Sequence, residues 1–318
     1  MAIASARNVS LTLLLAVASL LVFYDFHNAD SKMGKAVEKM NEIKKEITPE
    51  ICSASIQPLG QELKDCLLAE KADDLYKNLH IVTENCIAKN TKVKNSDFLQ
   101  LHMGRFDEIK YFLPIPDAFK NDDLVPCYWL TIGVGGDTLV EKEMKTLYPK
   151  CKIFGVEPSP DQYLDFEKYG TIIPLAIGIK PGNLTMRLRK GTGYKNVIVP
   201  ITPMFQVLDD HVGSRLVHFA TLDIEGFEYP ILDALKHGKP IESTGVRFCQ
   251  IDVELHAEEN QLQHMGANFT FTDYWRSFLA NSPYLPLKSV KFLTHRKVTL
   301  VNMDDLICRR LFQFDKYF

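Results

Sequence analysis

The chain has 318 residues, 46% of them hydrophobic, and a formal net charge of −3. That content supports one large domain with a real core, plus attachments. With no basic run interleaved with aromatics, nothing points to a nucleic-acid partner.

Val9 to Tyr24 is uncharged, with Arg7 before it and Asp25 and Asp30 after it. A helix of that length rises roughly 24 Å, short but sufficient for a thin early-secretory membrane. The charge asymmetry orients the N-terminus to the cytosol. The expectation is a single-pass type II anchor at 9–24 behind a cytosolic tail at 1–8, with the remainder in the Golgi or endoplasmic reticulum lumen. The competing reading is a secreted chain released by cleavage near Ala16-Val17-Ala18. Residues 25–50 follow as a helical stem, with Met33, Val37, Met40, Ile43 and Ile47 on one stripe.

Residues 51–121 read as a helical, cysteine-bearing subdomain. Leu63, Leu67, Leu68, Leu75 and Leu79 keep roughly helical spacing. Cys52, Cys66, Cys86 and Cys127 cluster before the glycine loop and suggest one or two disulfides there. Cys151, Cys249 and Cys308 read as small apolar residues of the core. Sequons occur at Asn8, Asn183 and Asn268, the latter two plausible lumenal glycosylation sites.

From 122 to 318 the pattern alternates. CYWLTIG reads as a strand, Thr138 to Tyr148 as a helix, CKIFGVEP as a strand and Asp161 to Tyr169 as a helix. TIIPLAIG reads as one strand and NLTMRLR as a hairpin arm or edge strand. Pro203 to His211 is expected as a helix, LVHFATLDIEG as a strand, Tyr229 to His237 as a helix and VRFCQIDVELH as a strand. Phe271 to Ala280 is a further helix, and KSVKFLTH, KVTLVNM and ICRRLFQF are closing strands. The fold class is therefore α/β, a mostly parallel sheet with an antiparallel edge.

Gly133-Val134-Gly135-Gly136-Asp137-Thr138 joins a strand to a helix. It is neither the dinucleotide fingerprint nor a Walker A loop, so it lacks a pyrophosphate cradle. Asp137 falls at or near the helix N-cap. Glu157, at the end of the second strand, is placed to accept hydrogen bonds from a ribose diol. A nucleoside without phosphate but with a positive centre meets these terms, and the cofactor expected is S-adenosylmethionine. Asp137 suits its cationic methionine end. Asp223 and Glu225 end a buried strand, with Gly226 for the turn, and His256 ends the next core strand at the same sheet edge. Asp223 is the candidate general base or positioning group, and His256 the second candidate.

These segments in this order (TIGVGGDTLVEKEM, IFGVEPSPDQY, IIPLAIGIKPGNLTM, VLDDHV, TLDIEGFEYPIL, IDVELH) resemble the FkbM-type methyltransferases, most of all the divergent membrane-anchored members common in nematodes. The common loop form is Asp-x-Gly-Ala-Asn-x-Gly, whereas this chain has Thr131 at the acidic position and Gly136-Asp137 where Asn is usual. The resemblance implies a Rossmann-like seven-stranded methyltransferase sheet and O-methylation of a sugar or other hydroxylated small molecule or glycan. It also implies cofactor contacts from Gly133, Gly135, Asp137 and Glu157, with Asp223 and Glu225 lining the reacting centre. Two rivals remain at this stage. One is a lumenal glycosyltransferase holding a metal on Asp223 and Glu225; the other is a non-catalytic domain of the same fold.

Overall fold

The computed structural model describes residues 59–71, 74–120, 125–190, 193–257 and 262–318, all within the unit Pro58–Phe318. The expected anchor, the stem, Cys52 and the Asn8 sequon lie outside the described residues. Among the described residues, no helix is long and apolar enough to cross a membrane.

The segment expected as helical opens with two helices, α1 (Gln61–Ala69) and α2 (Leu75–Asn90). α1 buries Leu63 and Leu67; α2 buries Leu75, Leu79, Val82, Cys86 and Ile87. Asp74 caps α2 by accepting from the Lys77 amide. The segment is not helical throughout. It continues into an antiparallel hairpin of β1 (Leu99–His102) and β2 (Ile109–Phe112).

The alternating part then unfolds as β3 (Tyr128–Ile132), α3 (Leu139–Leu147), β4 (Lys152–Val156), β5 (Thr171–Ile173), β6 (Ala176–Gly178), β7 (Gly182–Lys190), β8 (Gly193–Pro203), β9 (Leu216–Leu222), α4 (Glu228–Ala234), β10 (Arg247–Leu255), α5 (Phe271–Asn281), β11 (Tyr284–Phe292), β12 (His295–Asn302) and α6 (Leu306–Phe312). Seven strands form one sheet in the order β11-β12-β10-β9-β3-β4-β5. β5, β4, β3, β9 and β10 pair in parallel, while β12 is antiparallel to both β10 and β11. This is the expected Rossmann-like methyltransferase sheet, mostly parallel with antiparallel pairing at one edge.

Four expectations are corrected. ICRRLFQF is helical: Asp305 accepts from the amides of Ile307 and Cys308 and starts α6. TIIPLAIG is broken at Pro174, which cannot donate to a ladder; its halves join different sheets. Asp161 to Tyr169 holds two short 3-10 turns, not one helix. Cys151, Cys249 and Cys308 are buried as expected but are not free apolar residues, because the pairs are Cys66–Cys86, Cys127–Cys151 and Cys249–Cys308.

The core centres on Phe219 of β9. Its ring meets Phe112 of β2 at 5.5 Å, Trp129 of β3 at 6.0 Å, Tyr148 at 5.7 Å and Phe312 of α6 at 5.2 Å. Each such aromatic contact adds about 0.5–1.5 kcal/mol beyond area burial. The hairpin is fastened by polar bonds as well. Gln250 accepts from the Leu113 amide and donates to its carbonyl, Asp252 accepts from the Tyr111 amide, and Thr299 donates to the Tyr111 carbonyl. Beneath these lies a buried ionic network: Glu108 meets Lys110 at 2.8 Å and Lys297 at 2.6 Å, and Lys297 meets Asp252 at 3.2 Å. Burial opposes ionisation of Glu108, yet the two ammonium groups hold its carboxyl down at about 2.

Replacing Cys249 and Cys308 together by Ser should lower stability by about 2–5 kcal/mol, read as a fall in thermal midpoint. Non-reducing peptide mapping should return the three linkages above. A second expectation concerns His218, whose Nδ1 accepts from the Tyr128 amide. Burial pushes its pKa down to about 4. The unfolded chain therefore protonates first as pH falls from about 6.5 to 4, and on the order of 3 kcal/mol of stability is lost across that window. In His218→Asn, which keeps an acceptor but cannot titrate, the thermal midpoint should fall less steeply over the same range.

Candidate active site

Three neighbouring parallel strands end level with one another. The Gly133 amide donates to the Val156 carbonyl and the Asp223 amide to the Ile132 carbonyl, both at 3.0 Å. Residues 133, 157 and 223 are thereby set side by side at the C-terminal edge, where ligands bind in open α/β sheets. Gly133 has φ +89°, and a Cβ there would lie 1.9 Å from the Asp223 carbonyl oxygen, so no other residue fits. At the next turn Glu225 (φ 56°) and Gly226 (φ 101°) are both left-handed. The strain of holding a glutamate in that region aims its side chain into the cleft.

The cleft has about 680 Å³ of space out to its mouth, open solvent included. Gly133, Gly135, Glu157, Asp223 and Glu225 all line it. Apolar walls come from Ile132 and Val156 and from a separate three-stranded sheet, β6-β8-β7, which contributes Ile177, Met186 and Leu188. Glu157 is 6% exposed, and one carboxylate oxygen accepts from the Ser159 amide at 2.8 Å.

Asp137 is placed differently from the other expected residues. Its carboxylate accepts from the amides of Gly104 (2.8 Å) and Leu139 (3.1 Å), tying the β1–β2 turn to the start of α3, and it is not among the cleft-lining residues. Position 131, acidic in the common loop form, has a substitute: Thr131 donates to the buried Glu141 carboxyl and accepts from the Trp129 indole. Burial raises the Glu141 pKa, and its carboxyl lies behind the loop as the partner of Thr131.

One cleft residue is invisible to motif reading. Arg105, in the β1–β2 turn, lines the cleft and donates to the Gly135 carbonyl at 2.9 Å. Among the described residues it is the sole guanidinium lining the cleft, and no lysine joins it there. A cleft with one guanidinium, several carboxylates and apolar walls suits a nucleoside with a cationic centre and a carboxylate.

His256 stands behind Asp223. It is 3% exposed, with Nε2 3.8 Å from Asp223 Oδ1 and 3.8 Å from Glu254 Oε1. Its Nδ1 lies 3.0 Å from Glu228 Oε1, an ion-pair contact short of a straight hydrogen bond. Burial pulls its pKa down, but Glu228, Asp223 and Glu254 outweigh that and raise it to about 10. Burial, with Asp223 nearby, raises Glu254 to about 8. Glu228 belongs to the DIEGFE segment singled out in the sequence, and Glu254 precedes His256 by two; neither was assigned a role from sequence.

The family model described as "Methyltransferase FkbM domain" matches residues 111–286. No curated protein matches the chain. Among solved structures, a mutant of the 16S rRNA (adenine(1408)-N(1))-methyltransferase from Catenulisporales acidiphilia aligns with TM-score 0.32 and 12% identity, covering 65% of this chain and 98% of that one. The same mutant with its cosubstrate SAM aligns with TM-score 0.32 and 11% identity, again over 65% and 98%. Precorrin-6y C5,15-methyltransferase from Geobacter metallireducens GS-15 aligns with TM-score 0.30 and 13% identity, over 55% and 79%. The family match spans more than half of the sequence, and the chain belongs to the FkbM methyltransferase domain family.

Proposed function

We propose that the chain transfers a methyl group from S-adenosylmethionine to a hydroxyl oxygen of a sugar or other hydroxylated small molecule. The observation that carries this reading is the level ending of three strands, which brings the Glu157 carboxylate, Gly133 and Gly135, and Asp223 into one cleft. Glu157 would hold the ribose hydroxyls and Ile132, Val156 and Ile177 the adenine. The Arg105 guanidinium would meet the methionine carboxylate, and Glu225 would face the cationic end. When bound, the donor supplies a methyl group activated by its sulfonium, whose sulfur keeps the C–S bonding pair.

The residues of the chain do the rest by position. Asp223 is 22% exposed at its side chain and lines the cleft; its carboxylate takes the proton that the attacking hydroxyl loses, a contribution of about 10²–10⁴-fold. Holding acceptor and donor in line supplies the larger share. A groove beside the cleft shares Ile177 and Met186 with it and continues along Leu184, Ile201 and Ile231 to the Phe227 ring, which stacks on His264 at 4.2 Å. That aromatic and aliphatic surface suits the apolar face of a sugar ring or a similar acceptor body.

The setting proposed is the secretory pathway, with the uncharged segment at 9–24 as a type II anchor or, if cleaved, as a signal peptide. Three disulfides and the exposed sequon asparagines Asn183 and Asn268 support an oxidising compartment.

Thermal shift with 100 µM S-adenosylmethionine tests the donor, because ligand bound only by the folded state raises the midpoint. Arg105→Met should weaken binding about tenfold, the loss of one charged hydrogen bond of roughly 1.5 kcal/mol. Asp223→Asn should keep the shift while lowering turnover on a hydroxylated acceptor by ~10²–10⁴-fold. Unchanged turnover in that variant removes the assignment of Asp223, and no shift in the wild type removes the donor.

A further inference from the structure

The groove beside the cleft differs from it in chemistry. Glu157, Asp223 and Glu225 line the cleft, whereas among the described residues no carboxylate lines the groove. The polar side chains of the groove are Lys180, Asn183 and His264, and all three residues are exposed. Most of the rest is apolar, with Ile179, Leu184, Ile201, Pro230 and Ile231 beside the Phe227 ring. A bare sugar carries hydroxyls around its ring, and each one taken from water needs a hydrogen-bond partner. This surface supplies few partners and much aliphatic contact.

Strand alternation builds the groove. Along β7, Leu184, Met186 and Leu188 share one face. On β8, Val199 stands opposite Leu184, Val197 opposite Met186 and Ile201 opposite Gly182. Met186, Leu188 and Val199 are buried with Ala176 in a small core of their own, apart from the main one. The stripe on β7 runs out of the cleft. Leu188 lines the cleft, Met186 lines cleft and groove, and Leu184 and Gly182 line the groove. From Met186 to Gly182 the strand advances about 13 Å, the length of an extended chain of about ten carbons. The opposite wall is Phe227, Pro230 and Ile231, which follow the turn that Asp223 begins.

We propose that the groove holds the aliphatic chain of an amphiphilic acceptor, whose hydroxylated head enters the cleft at Asp223. Continuity of the two spaces carries this: Ile177 and Met186 belong to both. A molecule with its hydroxyl at Asp223 therefore has an apolar path away from the reacting centre, and apolar surface rimmed by polar residues marks a binding site. The head's oxygen forms the new bond to the methyl carbon as the carbon–sulfur bond breaks; its proton passes to Asp223 and the bonding pair stays on sulfur. The chain serves as an anchor. Its burial is felt equally in ground and transition states, so a longer chain lowers KM and leaves kcat unchanged. That the bound molecule is an acceptor rests on the methyl-transfer reading; that the groove takes an aliphatic chain does not.

The full chain is photolabelled with a decyl glucoside bearing a diazirine at the end of its alkyl chain, and the label is mapped by peptide mass spectrometry. Label is expected on the segments that carry Leu184, Ile201 and Ile231. Unlabelled alkyl glucosides should compete about two- to fourfold better per added methylene from butyl to octyl, with little gain beyond decyl, and glucose should not compete. Gly182→Trp should remove the label. A Cβ there meets nothing within 4 Å and shares the face of Leu184, so the indole fills the groove without a clash and the thermal shift with S-adenosylmethionine is kept. Label elsewhere, competition indifferent to chain length, or labelling unchanged in Gly182→Trp would each overturn the proposal. So would a dimer in sedimentation whose formation excludes the label, since that gives the groove to a second copy. The wild-type map decides the question even if the variant does not fold. Mapped, chain-dependent label without a thermal shift by S-adenosylmethionine would keep the groove and remove the donor; a thermal shift beside scattered label would do the reverse.

Discussion

The arrangement depends on how closely two strand ends approach. The Asp223 carbonyl occupies the space that any side chain at position 133 would need. Because that side chain is a hydrogen atom, β3 and β9 stay paired to their last residues, Ile132 opposite Leu222, and the two loops leave the sheet together. The Gly133 amide is then free to reach the Val156 carbonyl, which brings the end of β4 and Glu157 into line. A methyl group at position 133 would force the strands apart where the glycine loop and the acidic turn must share one cleft. The cost of a left-handed backbone at Glu225 belongs to the same geometry: the chain turns sharply there or it covers the cleft.

The sheet also holds its N-terminal neighbour. The β1–β2 hairpin is bonded to β10 and β12 through Gln250, Asp252 and Thr299, and the buried ions Glu108, Lys110 and Lys297 lie beneath it. Such networks contribute little net stability, since desolvation offsets most of the attraction, but breaking one is costly. What this one secures is placement. The turn that follows β1 carries Arg105 to the Gly135 carbonyl and Gly104 to the Asp137 carboxylate. A residue outside the family match thus becomes part of the cleft, and the glycine loop is braced from above by a segment that does not belong to the alternating unit.

The parallel strands were legible because buried strands read as unbroken apolar runs bounded by turn residues. YWLTI, KIFGV and LVHFATL needed no further context, and the acids that follow them were placed by the rule that ligands gather at strand ends. The misreadings have physical causes. In ICRRLFQF the apolar residues fit a strand and a helix equally, and the deciding signal is the cap at Asp305, just upstream. Lys110, Lys297 and Glu108 would each be assigned to solvent from sequence, since only the fold shows that they neutralise one another in the core. Arg105 carries no motif, because its role comes from a contact across thirty positions of chain. Asp137 was correctly set near the helix start, but a carboxylate at a cap has amides to satisfy, and here it satisfies two.

An acid-rich strand edge constrains methyl transfer in a way that residue types alone do not reveal. On the proposed reading the donor is cationic and its product is neutral. A carboxylate aimed at the sulfonium therefore favours the bound donor over the transition state, in which that charge is already fading. Binding energy spent so would raise affinity and slow the reaction. Catalysis gains only from carboxylates aimed at the acceptor proton, whose positive charge grows as the new bond forms. On that reading the two roles fall to different residues: Glu157, which follows β4, and Glu225 serve the donor, and Asp223, beside the end of β10, serves the acceptor. Behind it, His256 and Glu228 are fixed by burial and by the Ile224 amide. On that reading the imidazole behind it keeps the Asp223 carboxylate turned toward the acceptor and away from the sulfur. On the same reading, what parts Asp223 from Glu225, which leave the same strand, is the left-handed backbone at Glu225.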